Sequence, residues 1–436
     1  MPSRRRFLRS ATLAAGAAAL PVASRAQSSS PAPVPPSIAA LQPMQAAAKP
    51  ITNEERRSRI ERARRLMAEH KLDAMAMMGG TSLIYFSNIR WWNSERLFLL
   101  FLPAKGEPFC VCPAFEEDRA REQAAAGPFG GRVDIRTWQE DEDPYALTAA
   151  VLRERGIGAG RLGIEEKTFF TFADALAQAA PALRIVSATP VTAGCRMVKD
   201  AHEIELMRLA NQVTLKAYAA AFAALRDGMT QADFAALIAQ AHARLGFQGG
   251  AGVQVGEYSA LPHGSATPQV IREGAVILID GGCSVEGYGS DISRTFVLGK
   301  ATEKMKQVFA IVRRAQQAAL AAARPGAPLE AVDAAARQLI SDAGYGPGFR
   351  YFTHRVGHGL GMDVHEWPYL AKNNMFGWER SLALRPGMTF SDEPGIYIRG
   401  EFGVRLEDDI VVTPDGAELM TPQSDSIEDP FGGVTL

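Results

Sequence analysis

Val276-Ile277-Leu278-Ile279-Asp280 is an apolar run that ends on a carboxylate. After ten intervening residues, Asp291 opens a second run, Ile292-Ser293-Arg294-Thr295-Phe296. The connection carries Gly281, Gly282, Gly287 and Gly289, so the two runs read as paired strands with the aspartates at facing ends of a hairpin. Two adjacent carboxylates at a largely apolar strand end repel each other and are costly to bury without a cation between them. Taken alone, the two aspartates read equally well as a turn former and a strand-edge charge. The segments around them decide the matter.

Four of the 7 histidines stand in such segments: His263, His354, His358 and His365. In Thr353-His354-Arg355-Val356-Gly357-His358-Gly359-Leu360-Gly361, two histidines lie four apart. The zincin signature H-E-x-x-H is absent, and the glycines at 357, 359 and 361 argue for extended backbone. Two acidic segments follow, Phe390-Ser391-Asp392-Glu393-Pro394-Gly395 and Gly403-Val404-Arg405-Leu406-Glu407-Asp408-Asp409. Strand alternation in the second puts Arg405 and Glu407 on one face, with Val404 and Leu406 on the other. Jointly, Asp280, Asp291, His358, Glu393 and Glu407 supply four carboxylates and one imidazole. That oxygen-rich set suits two divalent ions such as Mn, Co, Zn or Fe(II), and not copper. Such ions lower the pKa of a water towards ~7 and polarise a carbonyl under attack.

A chain of 436 residues predicts two or three domains at roughly 150 residues each. With 47 Lys+Arg against 48 Asp+Glu, the net charge of −1 provides no bulk attraction to nucleic acid or to an anionic membrane. Four cysteines, Cys110, Cys112, Cys195 and Cys283, are too few for a disulfide scaffold, and none forms a C-x-x-C pair. Cys283, close to Asp280, reads as a small packed loop residue before it reads as an oxidant sensor.

The N-terminus reads as an address. Ser3-Arg4-Arg5-Arg6-Phe7-Leu8-Arg9 precedes an Ala/Leu-rich run from Ala11 to Leu20, and small residues suit cleavage after Ala26. This resembles a twin-arginine signal, so the expected location is the periplasm, reached by the twin-arginine route. Residues 27–52, with Pro31, Pro33, Pro35 and Pro36, read as a flexible Pro/Ser/Ala linker. Residues 53–193 form an N-terminal α/β domain. Its first helix starts at a capping box, Thr52 to Glu55, and its arginine cluster reads as a solvated face. Strands are expected at 72–78, 83–89, 97–102, 109–112, 133–138 and 183–186. From residue 194 to 436 the pattern is two helices then strands, twice over, which points to a pseudo-duplicated unit. Asp200-x-x-Glu203 and Thr230-x-x-Asp233 mark the first two helix starts, with later helices near 302–323 and 329–343.

The five acidic and imidazole positions, in this order and spacing, resemble the methionine aminopeptidase/prolidase ("pita-bread") metallohydrolases, family M24. The resemblance covers about Gly194 to Pro422. The extra N-terminal domain, which methionine aminopeptidases typically lack, places the chain with the creatinase, aminopeptidase P and prolidase branch. The implied fold class is α+β, a creatinase-like α/β domain followed by a pseudo-duplicated pita-bread domain. The resemblance implies Asp280, Asp291, His358, Glu393 and Glu407 as metal ligands, with Asp291 and Glu407 bridging two ions, manganese first among the candidates. It implies His263, His365 and Glu393 as catalytic groups, His263 at the substrate or transition state and His365 at the tetrahedral intermediate or leaving group. Glu393 doubles as proton shuttle. His354 and Arg405 match positions that shape the substrate pocket, which His263 and His365 also line. A homodimer is the family expectation.

The implied reaction is hydrolysis of the bond between an N-terminal residue and proline in a small peptide, by an Xaa-Pro aminopeptidase or dipeptidase. Proline's nitrogen carries no hydrogen and its ring fixes φ, so the site needs a shaped apolar wall. Trp367, Pro368 and Tyr369 are candidates for that wall, although they read first as ordinary core packing. Three enzymatic readings rival this one, beside a catalytically dead binding module, which would be expected to have lost ligands where none is missing. Creatinase works without metal, which the complete ligand set opposes. A dimethylsulfoniopropionate lyase resembles this chain in length and around Trp91-Trp92, but has an aspartate where this chain has Gly282. A hydrolase of another small amide is the third.

Overall fold

The computed structural model describes residues 33–434. Three of its helices begin at reciprocal caps that the sequence announces: Thr52 with Glu55, Asp200 with Glu203 and Thr230 with Asp233. Each cap satisfies backbone N–H groups that the first helical turn leaves without partners. The export signal of residues 1–26 and the start of the linker lie outside the described residues.

The rest of that linker is not a loose tether. One unit runs from Pro36 onward. Ile38, Leu41 and Ile51 are buried in a core shared with the helix Ala201–Phe222. A few apolar side chains spaced through a Pro- and Ala-rich stretch are enough to dock it, and average composition hides them.

The N-terminal domain is a six-stranded mixed sheet built from β1 (Ala74–Met77), β2 (Leu99–Pro103), β3 (Phe109–Pro113), β4 (Asp134–Trp138), β5 (Arg161–Ile164) and β6 (Arg184–Ser187). The spatial order is β4-β3-β2-β1-β5-β6. Strand β2 pairs antiparallel with β1 and β3, while β3–β4, β1–β5 and β5–β6 are parallel. Both faces are covered. Met75 and Met77 of β1 enter one apolar layer with Ile60, Ala63 and Met67 of the helix Asn53–Glu69. Ala74 and Ala76 enter the other, with Val151 and Leu152 of the helix Pro144–Glu154.

Two expectations for this domain fail. The apolar run 83–89 is a helix, Thr81–Ser87, closed by Asn88 in the left-handed region at φ 64°. A short apolar segment buried nearly all round carries no period that separates helix from strand. The arginine face of the helix Asn53–Glu69 is not wholly solvated either. Arg56 is 8% and Arg59 5% exposed, because Tyr288 and Glu203 of the C-terminal half close over Arg59 and the chain at Ile51 and Asn88 closes over Arg56.

The C-terminal domain repeats one plan. The helices Ala201–Phe222 and Gln231–Leu245 precede β7 (Gly249–Val255), β8 (Val276–Val285), β9 (Tyr288–Gly289) and β10 (Ile292–Val297). The helices Glu303–Ala322 and Leu329–Ile340 precede β11 (His358–Gly359), β12 (Glu366–Tyr369), β13 (Thr389–Asp392), β14 (Gly395–Ile398), β15 (Phe402–Arg405), β16 (Asp408–Val412) and β17 (Ala417–Leu419). The first sheet has the order β10-β8-β7, and the second β12-β11-β13-β16-β17. All pairings in both are antiparallel. The architecture is α+β, as the sequence predicts.

Candidate metal centre

The site lies where β8 and β10 of the first sheet meet β11, β13 and the β15–β16 connection. In the antiparallel register Ser293 faces Asp280, which brings Asp291, two residues before Ser293, to the same end of the hairpin. Gly357 lets β13 approach closely, since a Cβ there would run into the Ser391 carbonyl. His358 can then donate its backbone N–H to Ser391 Oγ at 3.1 Å.

All nine residues singled out in the sequence line one cavity of about 370 Å³: Asp280, Asp291, His358, Glu393 and Glu407 together with His263, His354, His365 and Arg405. Donor atoms of Asp291, His358 and Glu407 lie within 4.8 Å of one another. His358 Nε2 is 3.3 Å from Glu393 Oε1 and 3.9 Å from Asp291 Oδ2. The other ring nitrogen, Nδ1, faces the Gly359 carbonyl at 3.2 Å. Protonating Nδ1 for that hydrogen bond leaves the Nε2 lone pair aimed at the carboxylates, the tautomer a metal ligand needs.

Burial, then repulsion from neighbouring carboxylates, pushes Asp291 and Glu407 well above the usual carboxylate range. Burial outweighs the pull of Arg405 and raises Glu393 to about 7. Burial lowers His358 to about 3, with His365 stacked on it at 3.7 Å between ring centroids. Against four carboxylates, the one cation in direct contact among the described residues is Arg405, whose Nη2 donates to Asp280 Oδ2 at 2.6 Å. A buried excess of negative charge with a free imidazole nitrogen beside it fits divalent cations, on donor chemistry and on electrostatics.

Several groups that hold this arrangement carry no signal in the sequence. Ser293 Oγ lies 3.0 Å from Asp280 Oδ1 and 2.6 Å from Glu407 Oε2, and accepts from Arg405 Nε at 2.9 Å. Asp409 Oδ2 accepts from the backbone N–H of Asp291 at 3.1 Å and from Asn211 Nδ2 at 2.8 Å. Tyr397 Oη sits between His354 Nε2 at 2.7 Å and Arg405 Nη1 at 3.0 Å. With His354 Nδ1 also taken up by the Arg355 carbonyl at 2.7 Å, both nitrogens of that ring are occupied. His354 therefore offers the cavity its ring, not a proton.

The apolar wall is not made by Trp367, Pro368 and Tyr369, in keeping with the core-packing reading of them. Phe349, Met375, Ala371 and Pro262 line the cavity, and Trp367, Pro368 and Tyr369 do not. Trp367 instead packs against the core of the second repeat. Its strand β12 is held there by pairing with β11. Arg355, also in the lining, makes no ion pair among the described residues and holds its guanidinium 4.9 Å from the Tyr369 ring. Cys283 is buried on β8, not in a loop.

The geometry defines a class of protein: a two-domain hydrolase whose carboxylate-rich centre takes divalent metal ions. The description "Metallopeptidase family M24" matches residues 205–414, and "Creatinase/Prolidase N-terminal domain" matches residues 59–198. The "Probable dipeptidase PepE" of Mycobacterium tuberculosis is 38% identical, covering 82% of this chain and 92% of its own. An Xaa-Pro dipeptidase of Lactobacillus delbrueckii subsp. lactis is 33% identical over 85% of this chain and 98% of its own. The crystal structure of dipeptidase PepE from Mycobacterium ulcerans superposes with a TM-score of 0.79 at 33% identity, covering 87% of this chain and 99% of that one. The chain belongs to metallopeptidase family M24, in its creatinase/prolidase branch.

Proposed function

We propose that the protein hydrolyses Xaa-Pro dipeptides with two divalent metal ions, manganese by preference, held by Asp280, Asp291, His358, Glu393 and Glu407. The observation that carries the proposal is the meeting of these five side chains at one cavity that also holds two solvent-facing histidines, His263 and His365. Ions bound there would supply Lewis acidity and an activated water at neutral pH.

The residues of the chain do the rest. Glu393 would take and return a proton at one oxygen while the other stays with the ligand cluster. Arg355 Nη2 faces His365 Nδ1 at 3.5 Å, which favours the tautomer with hydrogen on Nε2 and keeps that N–H as a donor. Burial, then the neighbouring Arg355, lowers His365 and disfavours its charged form. His263, across the cavity, is the second donor to the developing oxyanion or leaving group. Phe349, Met375 and Pro262 give the proline ring an apolar surface and no acceptor for an N–H that it lacks. Arg355, with no carboxylate partner among the described residues, would meet the C-terminal carboxylate of a dipeptide. The dipeptidase names of several relatives support the same choice over an aminopeptidase.

The lyase alternative loses support at Gly282. A side chain there would run into the Ser290 carbonyl, so this backbone has no room for the aspartate of that branch. Periplasmic location by the twin-arginine route rests on the N-terminal sequence, and the homodimer on the family. No helix among the described residues is long and apolar enough to cross a membrane. Incubation of the Mn-loaded protein with Ala-Pro, Gly-Pro-Pro and dimethylsulfoniopropionate tests the activity. Turnover of Ala-Pro alone is the expected result, and turnover of the sulfonium compound alone would replace the peptidase with the lyase.

A further inference from the structure

A second polar cavity, of about 230 Å³, opens at the seam between the two domains, away from the metal centre. Arg56, Arg59 and Asn88 reach it from the N-terminal domain with Arg90, while Glu286 and Tyr288 reach it from the turn joining β8 to β9. The charges do not cancel. Arg59 is neutralised by Glu203 at 3.3 Å and fixed by Tyr288 Oη at 2.8 Å. Arg56 is equally buried, yet its guanidinium meets only the Ile51 carbonyl and Asn88 Oδ1, at 2.9 Å for the latter. No carboxylate pairs with Arg56 or Arg90 among the described residues, and Glu286, the one acid in the lining, forms no ion pair. The Nε groups of Arg56 and Arg59 are buried without a hydrogen-bond partner.

A buried guanidinium without a counter-charge is destabilising unless something supplies one. Here burial lowers Arg56, and repulsion from Arg59 and Arg90 lowers it further. The volume is far beyond what one water needs. Planar guanidinium forks with unused N–H groups are suited to oxygen anions in particular.

We propose that this seam cavity is a binding site for a small oxyanion, a carboxylate or a sulfate- or phosphate-like group, held by Arg56 and Arg90. The bound anion would stand between the helix Asn53–Glu69 and the β8–β9 turn. That turn is in register with the chain leading to His365, since Gly289 donates its N–H to the Gly361 carbonyl at 2.7 Å and Met362 lines the same cavity.

The test is calorimetric titration of the full-length holoprotein with sodium sulfate, and separately with sodium acetate, at constant ionic strength set by chloride. One saturable site per chain, with Kd of about 1 mM or tighter for at least one of the two anions, is expected. Arg56→Gln weakens it by at least about tenfold and Arg90→Gln by several-fold. Glu286→Gln tightens it, an effect no purely structural role would produce. Arg90 is exposed and unpaired, so its variant folds and decides the matter even if Arg56→Gln does not. Absence of saturable binding by both anions overturns the proposal. So does an affinity unchanged in Arg90→Gln and Glu286→Gln, which would put the anion elsewhere, at the metal centre for example. None of these residues lines the catalytic cavity, so the result is independent of the peptidase reading.

Discussion

Ser293 has one proton to offer and two carboxylates within reach, while Arg405 donates to it from the other side. It therefore fixes the spacing of Asp280 and Glu407 without facing the substrate. Ser293→Ala is expected to lower metal affinity or turnover about 10–100-fold, measured by metal titration of the apoprotein and by Ala-Pro hydrolysis. Asp291→Asn removes a ligand itself and should lower both by more than ~100-fold with the circular dichroism spectrum unchanged; ordinary turnover would break the ligand assignment. His365→Ala should keep its metal and lose about 10²-fold in kcat. Arg355→Gln should raise KM for dipeptides about tenfold and also lower kcat, because His365 loses the neighbour that sets its tautomer. The nine residues that line the cavity could be picked out because carboxylates and histidines gather in a few short segments of the chain, several of them containing glycine. Ser293, Tyr397 and Asn211 could not. A serine or tyrosine in a strand, or an asparagine in a helix, looks the same whether or not it braces a ligand. The residues of the apolar wall were not legible for a related reason, since Phe349 and Met375 belong to loops whose path only tertiary packing sets.

Among the elements, the segment after β11 carries His365 and is clamped by Lys167 of the N-terminal domain and by Arg196 and Lys199 of the chain that leaves it. Arg196 contacts both Asp363 and Glu366, Lys199 Nζ pairs with Glu366 at 2.6 Å, and Lys167 Nζ with Asp363 at 2.6 Å. Burial alone would raise Asp363, but Arg196 and Lys167 outweigh it and hold the carboxyl at about 2. A carboxyl depressed in the folded state stabilises above its ordinary range, near pH 4, and that contribution disappears as pH falls towards 2. The clamp is thus worth about 1–2 kcal/mol at neutral pH, allowing for the part of Asp363 that water screens. Asp363→Asn should lower the melting temperature at pH 7 and leave it nearly unchanged at pH 2. An equal loss at both would mean that packing, not charge, is at stake. Helix starts with reciprocal caps were readable from sequence, since the signal is local. The helix Thr81–Ser87 and strand β5 were not, the first because burial on all sides erases its period, the second because it is short and contains Gly163.

For the whole molecule, the α+β architecture and the doubled plan of the catalytic half followed from the order of patterns along the chain. The docking of residues 36–52 and the burial of Arg56 and Arg59 did not. Both depend on what the other domain brings to the seam, which no local window contains. The central claim is that five side chains, from β8 to the β15–β16 connection, make a metal-dependent Xaa-Pro peptidase. It is tested most directly by one assay of Ala-Pro hydrolysis on the same preparation as purified, after exhaustive chelation, and after adding back Mn²⁺. The account predicts activity that vanishes on chelation, returns with the metal, and stays absent in Asp291→Asn under all three conditions. Hydrolysis that persists undiminished after chelation, with no metal detectable by mass spectrometry, would contradict it.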